Sequence, residues 1–471
     1  MNSIVYNGEN RGINNSNMLL FAIIWMVAAL VLFYANLSIS TEAAHNLFAT
    51  GCLLSYLLCL RNWLKSGCRG ASLYVFFVSY AFMCNMGQSV LYLFRVPDDL
   101  LPVYFLHSFV SIVEMLKFQF LCIAALNLGT VLYIHKTYRC VNIEDQRIAY
   151  ESKAIESTSR DKYLDFLMYF SLLYILYHSV VMFQMRQSMG YMEFFEAGRG
   201  QSKDAIYTLV DFLSVLLGLR NIFKKRHVKF TYVVYALCVV IYMIVGSRGL
   251  SMRYLAVIFS TLPITYPNLF QKKYYVAWIV GVVFGFAGLS VISDTRSSSL
   301  SASSFVTDRS IGMSALSAVS EMGYSERPAI ITMEAVDGGY RRHQTILVQV
   351  IKVLVPFSGN LSVIKSENMA LGNWVTDYVE SNSGLGSSII AEAYMNYGKF
   401  GWIFFILWGW IIAYGENEAY RRLMYGNSLY ALWFLTLLST GILLARSEFH
   451  RLTGVGRYGF YLWLMRLIKI I

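Results

Sequence analysis

Long apolar runs separated by short polar connections dominate this chain. Runs of membrane-spanning length sit near residues 18–37, 43–60, 71–94, 104–134, 163–185, 205–222, 230–246, 252–270, 274–292, 386–414, 428–445 and 456–471. The hydrocarbon core of a bilayer takes roughly 20 apolar residues per helix. The pattern therefore predicts an all-α, polytopic membrane protein with about 12 transmembrane helices. The run at 104–134 is overlong, which suits a tilted or broken helix. The first run is followed by no small-residue cleavage site and reads as a retained helix.

One connection departs from this rhythm. Residues 293–385 are too long and too polar for a turn, and they open on a Ser-rich stretch. An apolar segment follows, Ile346–Val355, stopped by Pro356. It is too short to span, and Gln349 and Lys352 give it the look of an interfacial or re-entrant helix. Three parts follow: an N-terminal bundle over 1–292, a large loop over 293–385, and C-terminal transmembrane helices over 386–471.

Composition agrees. Only 14% of the residues are charged and 56% are hydrophobic, so a soluble globule could not be covered. The net charge of +11 is read best through topology rather than nucleic acid. With the N-terminus cytoplasmic, the cytoplasmic connections hold 21 Lys and Arg and the short exported connections hold 9. That bias places both termini in the cytoplasm and the large loop on the periplasmic face of a bacterial inner membrane. The seven cysteines form no CxxC and no Cys/His cluster, so neither a disulfide framework nor a thiolate metal site is expected.

The exported cations are mostly Arg: Arg95, Arg186, Arg199, Arg248, Arg253, Arg446, Arg451 and Arg457, with Lys203. Arg is preferred where a planar fork grips phosphate or carboxylate at two points. A phosphate-bearing lipid would give these cations a reason. Anchoring to anionic lipid, or pairing with loop acids, explains them as well. Two clusters stand out, GSRGLSMR (Gly246–Arg253) and ARSEFHRLTGVGR (Ala445–Arg457), each a turn between helices. A third, YRRHQ (Tyr340–Gln344), puts Arg341 and Arg342 directly before His343. His343 and His450 are the candidate neutral-pH bases on this face.

Charges inside the apolar runs are sparse. Glu114 and Lys117 are three apart and read as a structural ion pair, with His107 about two turns above. Asp211 lies in the sixth run. A proton relay would need a chain of such groups across several helices, and the sequence shows only scattered ones.

The most specific stretch is SGLGSSIIAEAYMNYGKFGW (Ser383–Trp402). Gly384 and Gly386 let the backbone turn toward the membrane, and Gly398 and Gly401 permit a kink or close packing. Glu392 is a base or a partner for a neighbouring Arg.

This stretch, with the long polar loop before it and the GSRG turn two helices earlier, resembles the O-antigen polymerases of the Wzy type. The resemblance covers most of the chain from about residue 160 onward. It implies a GT-C-like glycosyltransferase, working without metal or cofactor on undecaprenyl-pyrophosphate-linked oligosaccharides at the periplasmic face. Such enzymes bind the lipid pyrophosphate with Arg, and the positions here make Arg248, Arg253, Arg341, Arg342, Arg446 and Arg451 the expected pyrophosphate- and substrate-binding residues, with His343 the expected catalytic base and Glu392 the runner-up. Partners would be the lipid-linked oligosaccharide, membrane lipid and a chain-length-regulating co-polymerase, with no nucleic acid.

Two other functions compete. An O-antigen ligase shares the donor and differs in the acceptor. A flippase for the same lipid-linked unit should show inverted repeats and charges in mid-helix cavities. No such repeat is visible here.

Overall fold

The computed structural model describes residues 8–68, 70–137, 159–189, 193, 205–270, 311–340, 344–354, 371–381, 385–424 and 428–467. For some of these, including Arg248, His450 and Arg451, only the backbone is described. All regular structure among the described residues is helical.

The N-terminal half holds α1 (Gly8–Tyr34), α2 (Thr41–Lys65), α3 (Leu73–Leu93), a short α4 (Pro102–Leu106), α5 (Phe109–Lys136), α6 (Ser159–Met189), α7 (Ala205–Phe223), α8 (Val228–Val245) and α9 (Arg248–Thr265). The loop region contributes α10 (Ile311–Gly323), α11 (Glu326–Asp337), α12 (Thr345–Leu354) and α13 (Leu371–Tyr378). The chain continues with α14 (Ile389–Tyr397), α15 (Trp402–Met424), α16 (Ser428–Gly441), a 3-10 turn (Ile442–Arg446) and α17 (His450–Leu467).

Serines start several of these helices. Ser40, Ser72, Ser108 and Ser388 each accept a hydrogen bond from the backbone N–H three residues on, satisfying a first-turn donor. Ser108 also explains why the overlong run breaks. α4 stops at His107, and Ser108 caps a new helix, so His107 and Glu114 are not stacked on one continuous helix. Glu114 and Lys117 do pair, at 2.6 Å.

The run at 386–414 also divides. Gly398 takes φ 55° and ψ −138°, a conformation that ends α14 after nine residues. Nine residues rise roughly 14 Å, far less than a hydrocarbon core. The longer piece of the run is α15, at 23 residues.

α5 is the centre of the bundle and packs on α1, α2 and α15. At its crossing with α15, a Cβ on Gly129 would lie 1.9 Å from the Ile406 carbonyl oxygen, and one on Gly409 2.2 Å from that of Leu126. Two glycines therefore set how closely these helices approach. Polar side chains point inward and bond to each other. Asn62 donates to Asn127 at 3.0 Å, Tyr74 to Thr130 at 3.1 Å, and Gln119 to the Asn85 carbonyl at 2.6 Å.

Apolar side chains point outward. Leu20, Ile24, Val27 and Val31 are exposed on α1, and Phe166, Phe170, Leu173 and Tyr177 on α6. Such continuous apolar faces need lipid, not water, around them. Six described helical stretches are long and apolar enough to cross a membrane: Asn15–Tyr34, Thr41–Lys65, Phe109–Lys136, Asp161–Met189, Val228–Val245 and Leu429–Arg446. The expected run at 274–292 lies outside the described residues.

The large loop does not stand off as a separate lobe. α10 crosses α3 where Gly87 and Gly323 meet; a Cβ on Gly323 would lie 2.4 Å from the Gln88 amide nitrogen. Buried Glu326 then accepts from the Gln88 and Ser89 amides at 2.9 and 3.1 Å and from the Ser89 hydroxyl at 2.6 Å. α12 is inside out. Gln349 and Lys352 are buried, Thr453 of α17 donates to Gln349 at 2.7 Å, and Leu347 and Val350 are exposed. The Ser-rich opening of the loop lies outside the described residues.

Contacts define two ends. At one, Asp161 and Asp165 of α6 pair with Arg220, Lys224 and Arg226. Asn417 of α15 meets Tyr133 of α5 at the C-terminal parts of those helices. Loop helices gather at the other. Five cysteines, Cys52, Cys59, Cys84, Cys122 and Cys238, are free and buried. Cys68, expected to be reduced, is instead disulfide-bonded.

Candidate active site at the loop end of the bundle

Ser388 caps α14 and places Glu392 in its first turn, where the free N–H groups of the helix favour a carboxylate. Glu392 is 1% exposed. Its Oε1 accepts from the Thr345 hydroxyl at 2.8 Å, and its Oε2 from the Phe449 amide at 2.7 Å. Burial, with the like charge of Glu448 adding to it, pushes the carboxyl up to about 8. Among the described residues its partners include no Arg; they are a hydroxyl and a backbone N–H.

One turn on, Asn396 completes a clamp. Its amide nitrogen donates to Thr345 Oγ1 at 2.9 Å, and its oxygen accepts from the Ile346 amide at 3.0 Å. Glu392 and Asn396 are four apart and share a helix face, so both grip the first residues of α12. Between them Tyr394 donates to both Asp337 oxygens, at 2.7 and 2.9 Å, and ties down the end of α11.

The clamp joins two distant segments. Thr345 is two residues after His343, and Phe449 is one residue before His450. Glu392 thus holds the start of α12 and the residue before α17 at one point. The Phe449 segment is fixed further by Glu448, which accepts from the Gly372 amide at 2.7 Å, and by Asn85, which donates to the Ala445 carbonyl at 3.0 Å.

The GSRG turn arrives at the same place. Gly246 ends α8 with φ 91°, and α9 starts at Arg248. A Cβ on Gly249 would touch Leu443 at 3.3 Å, so this turn lies on the 3-10 segment Ile442–Arg446.

The expected residues therefore divide as follows. Arg446 is partly buried, two residues before Glu448. Arg248, His450 and Arg451 are placed by backbone alone, in segments that converge on the clamp. Arg341, Arg342, His343 and Gly384 lie outside the described residues.

Arg253 is not at the bundle mouth. It is 1% exposed inside α9 and paired through Nη1 with Asp211 of α7, while Tyr254 donates to the other Asp211 oxygen at 3.1 Å. Its Nε and Nη2 have no hydrogen-bond partner among the described residues.

Reading the sequence alone missed Thr345, Asp337, Glu448 and Glu326. A buried polar chain also emerged where only scattered groups were expected. His45 meets the Tyr104 hydroxyl at 2.5 Å, Tyr104 donates to Ser89 at 3.3 Å, and Ser89 to Glu326.

No curated protein and no solved structure matches the chain. A family model described as O-antigen polysaccharide polymerase Wzy matches residues 19–470, nearly its whole length. Arg-bearing turns, a loop docked into the bundle and the EAYMN clamp all fall inside that match. The chain belongs to the O-antigen polysaccharide polymerase family and functions in O-antigen polymerisation.

Proposed function

We propose that the chain joins undecaprenyl-pyrophosphate-linked repeat units at the periplasmic face of the inner membrane, as a metal-independent glycosyltransferase of the GT-C type. The observation that supports this reading is the Glu392 clamp, which joins Thr345 and Phe449, two residues after His343 and one before His450 in the sequence.

The acceptor sugar's hydroxyl attacks the anomeric carbon of the donor. The bond from that carbon to the lipid pyrophosphate breaks, and the pyrophosphate leaves with its electron pair. His343 takes the hydroxyl proton, a contribution of ~10²–10⁴ in rate. Arg341 and Arg342 beside it favour the neutral, proton-accepting imidazole.

Arg248, Arg446 and Arg451 grip the departing pyrophosphate, whose growing charge they stabilise. Arg253, buried and paired with Asp211, lies away from this anion and ties α9 to α7. Guanidinium forks take the charge-neutralising part a divalent ion would otherwise play. Buried Glu392 touches no substrate in this arrangement and acts as a positioning residue. Membrane lipid surrounds the bundle, and a chain-length-regulating partner would set when polymerisation stops.

Deleting the gene and displaying surface polysaccharide on a gel tests the reaction. One repeat unit on the core is expected. Core alone with long polymer on carrier lipid would mean a ligase, and core alone with no periplasmic glycan a flippase.

A further inference from the structure

α13 is a short helix with an unusual outer face. Trp374 is 5% exposed and donates its indole N–H to the Tyr340 hydroxyl at 2.8 Å. Tyr378 stacks on Trp374 with ring centres 5.1 Å apart and is itself 49% exposed, while Tyr340 is 37% exposed. Both rings are held by Trp374, and Tyr340 meets Tyr378 edge to face with ring centres 5.9 Å apart. Asn373 and Asp377, four apart and so on the same side of the helix, are exposed as well.

The face is tied to the candidate active site. Gly372, at the start of α13, donates its amide to Glu448, next to the residue held by Glu392. At the other end, the Leu385 amide donates to Thr376 at 3.1 Å, pinning α13 against the segment that leads into α14.

An exposed aromatic near a bilayer is often an interfacial anchor, but the charge here is wrong for one. Around α13 no Lys or Arg occurs between Lys365 and Lys399, whereas Glu367, Asp377 and Glu380 do; Arg341 and Arg342 follow Tyr340 on the adjoining segment. Acids are repelled by an anionic lipid surface and by phosphate. They accept well from hydroxyls and amines. A pyranose has one face of C–H groups that lies on the electron-rich face of an aromatic ring, with hydroxyls at its rim for Asn and Asp.

We propose that Tyr378 and Tyr340, with Asn373 and Asp377, form a sugar-binding platform for a non-anionic residue of the growing polysaccharide. This rests on the polymerase reading and deepens it. The platform holds the glycan by its rings, through groups other than Arg248, Arg446 and Arg451, and so keeps a long acceptor in place between transfers.

The test uses the purified full chain and tritium-labelled, delipidated O-polysaccharide released by mild acid, read by equilibrium dialysis. Losing one ring stack should weaken binding about tenfold in Tyr378→Ala, while Tyr378→Phe stays within about twofold. Asn373→Ala should weaken it severalfold and serves should Tyr378→Ala unfold. In cells, Tyr378→Ala should give shorter chains with the first transfer intact. Binding unchanged in both Tyr378→Ala and Asn373→Ala would overturn the platform. So would quenching of a bimane label at Tyr378→Cys by brominated lipid, the mark of a membrane anchor. His343→Ala separates the two readings. It should abolish polymer and leave polysaccharide binding unchanged, so normal polymer from His343→Ala overturns the catalytic assignment alone.

Discussion

At the residue scale, the site is organised around donors and acceptors that must stay paired. Glu392→Ala leaves the Thr345 hydroxyl and the Phe449 amide without their acceptor in a buried place. Such orphaned groups cost about 1–3 kcal/mol each. Glu392→Ala should therefore lower the thermal midpoint and abolish polymer, whereas Glu392→Gln, which keeps an acceptor oxygen, should retain the fold and a reduced ladder. A Glu392→Ala protein with wild-type melting and ladder would remove the clamp from the account. Arg253 separates packing from binding. Arg253→Met strands Asp211 as a buried charge, a loss of about 3–5 kcal/mol. Adding Asp211→Leu should restore both the melting temperature and polymerisation; a recovered melt without polymer would show that Arg253 also serves binding. The sequence showed which residue types mattered here, since Arg on the disfavoured face and Glu in an apolar run are costly and need a reason. It did not show their partners. Glu392 and Thr345 are 47 positions apart, and Arg253 and Asp211 are 42 apart, distances only the fold closes.

At the element scale, apolar periodicity located the helices but not their breaks. The 104–134 run is interrupted because Ser108 offers a cap, and 386–414 because Gly398 leaves helical geometry. Hydropathy averages over both features. It also gave no sign that the loop would dock, because that depends on close approach. Gly323→Leu forces a side chain into the Gln88 backbone and should undock α10, lowering the thermal midpoint and eliminating the ladder. A normal melt would contradict the crossing. Glu326 makes the docking pH-sensitive. Burial raises its carboxyl from 4.5 to about 8, so the folded state keeps the proton longer than the unfolded one. Its contribution is most favourable below the unfolded value, declines as pH rises, and is flat above about 8. Glu326→Gln stays neutral throughout, so the wild type should lose thermal stability relative to it between pH 5 and pH 8 (roughly the interval bounded by the two values). A pH-independent gap would show that Glu326 ionises freely.

At the scale of the whole molecule, composition and run length made the membrane class plain, because outward apolar faces and few charges leave no soluble alternative. Orientation rests on Lys and Arg bias. The start of α6 and the basic end of α7, two of the Lys- and Arg-rich places, do meet, through Asp161 and Asp165 with Arg220 and Lys224. The Cys68 disulfide runs the other way, since the cytosol keeps thiols reduced and a cytoplasmic N-terminus puts the connection after α2 there. Cysteine labelling decides: Ser301→Cys should react from outside intact cells and Lys153→Cys should not, and labelling of Lys153→Cys would reverse the assignment. The most direct test of the proposed chemistry is reconstitution of the purified chain with undecaprenyl-pyrophosphate-linked repeat units in EDTA, with products resolved on a gel. The wild type is expected to build a ladder and His343→Ala to leave single units. No ladder until magnesium or manganese is added, or a full ladder from His343→Ala, would contradict it.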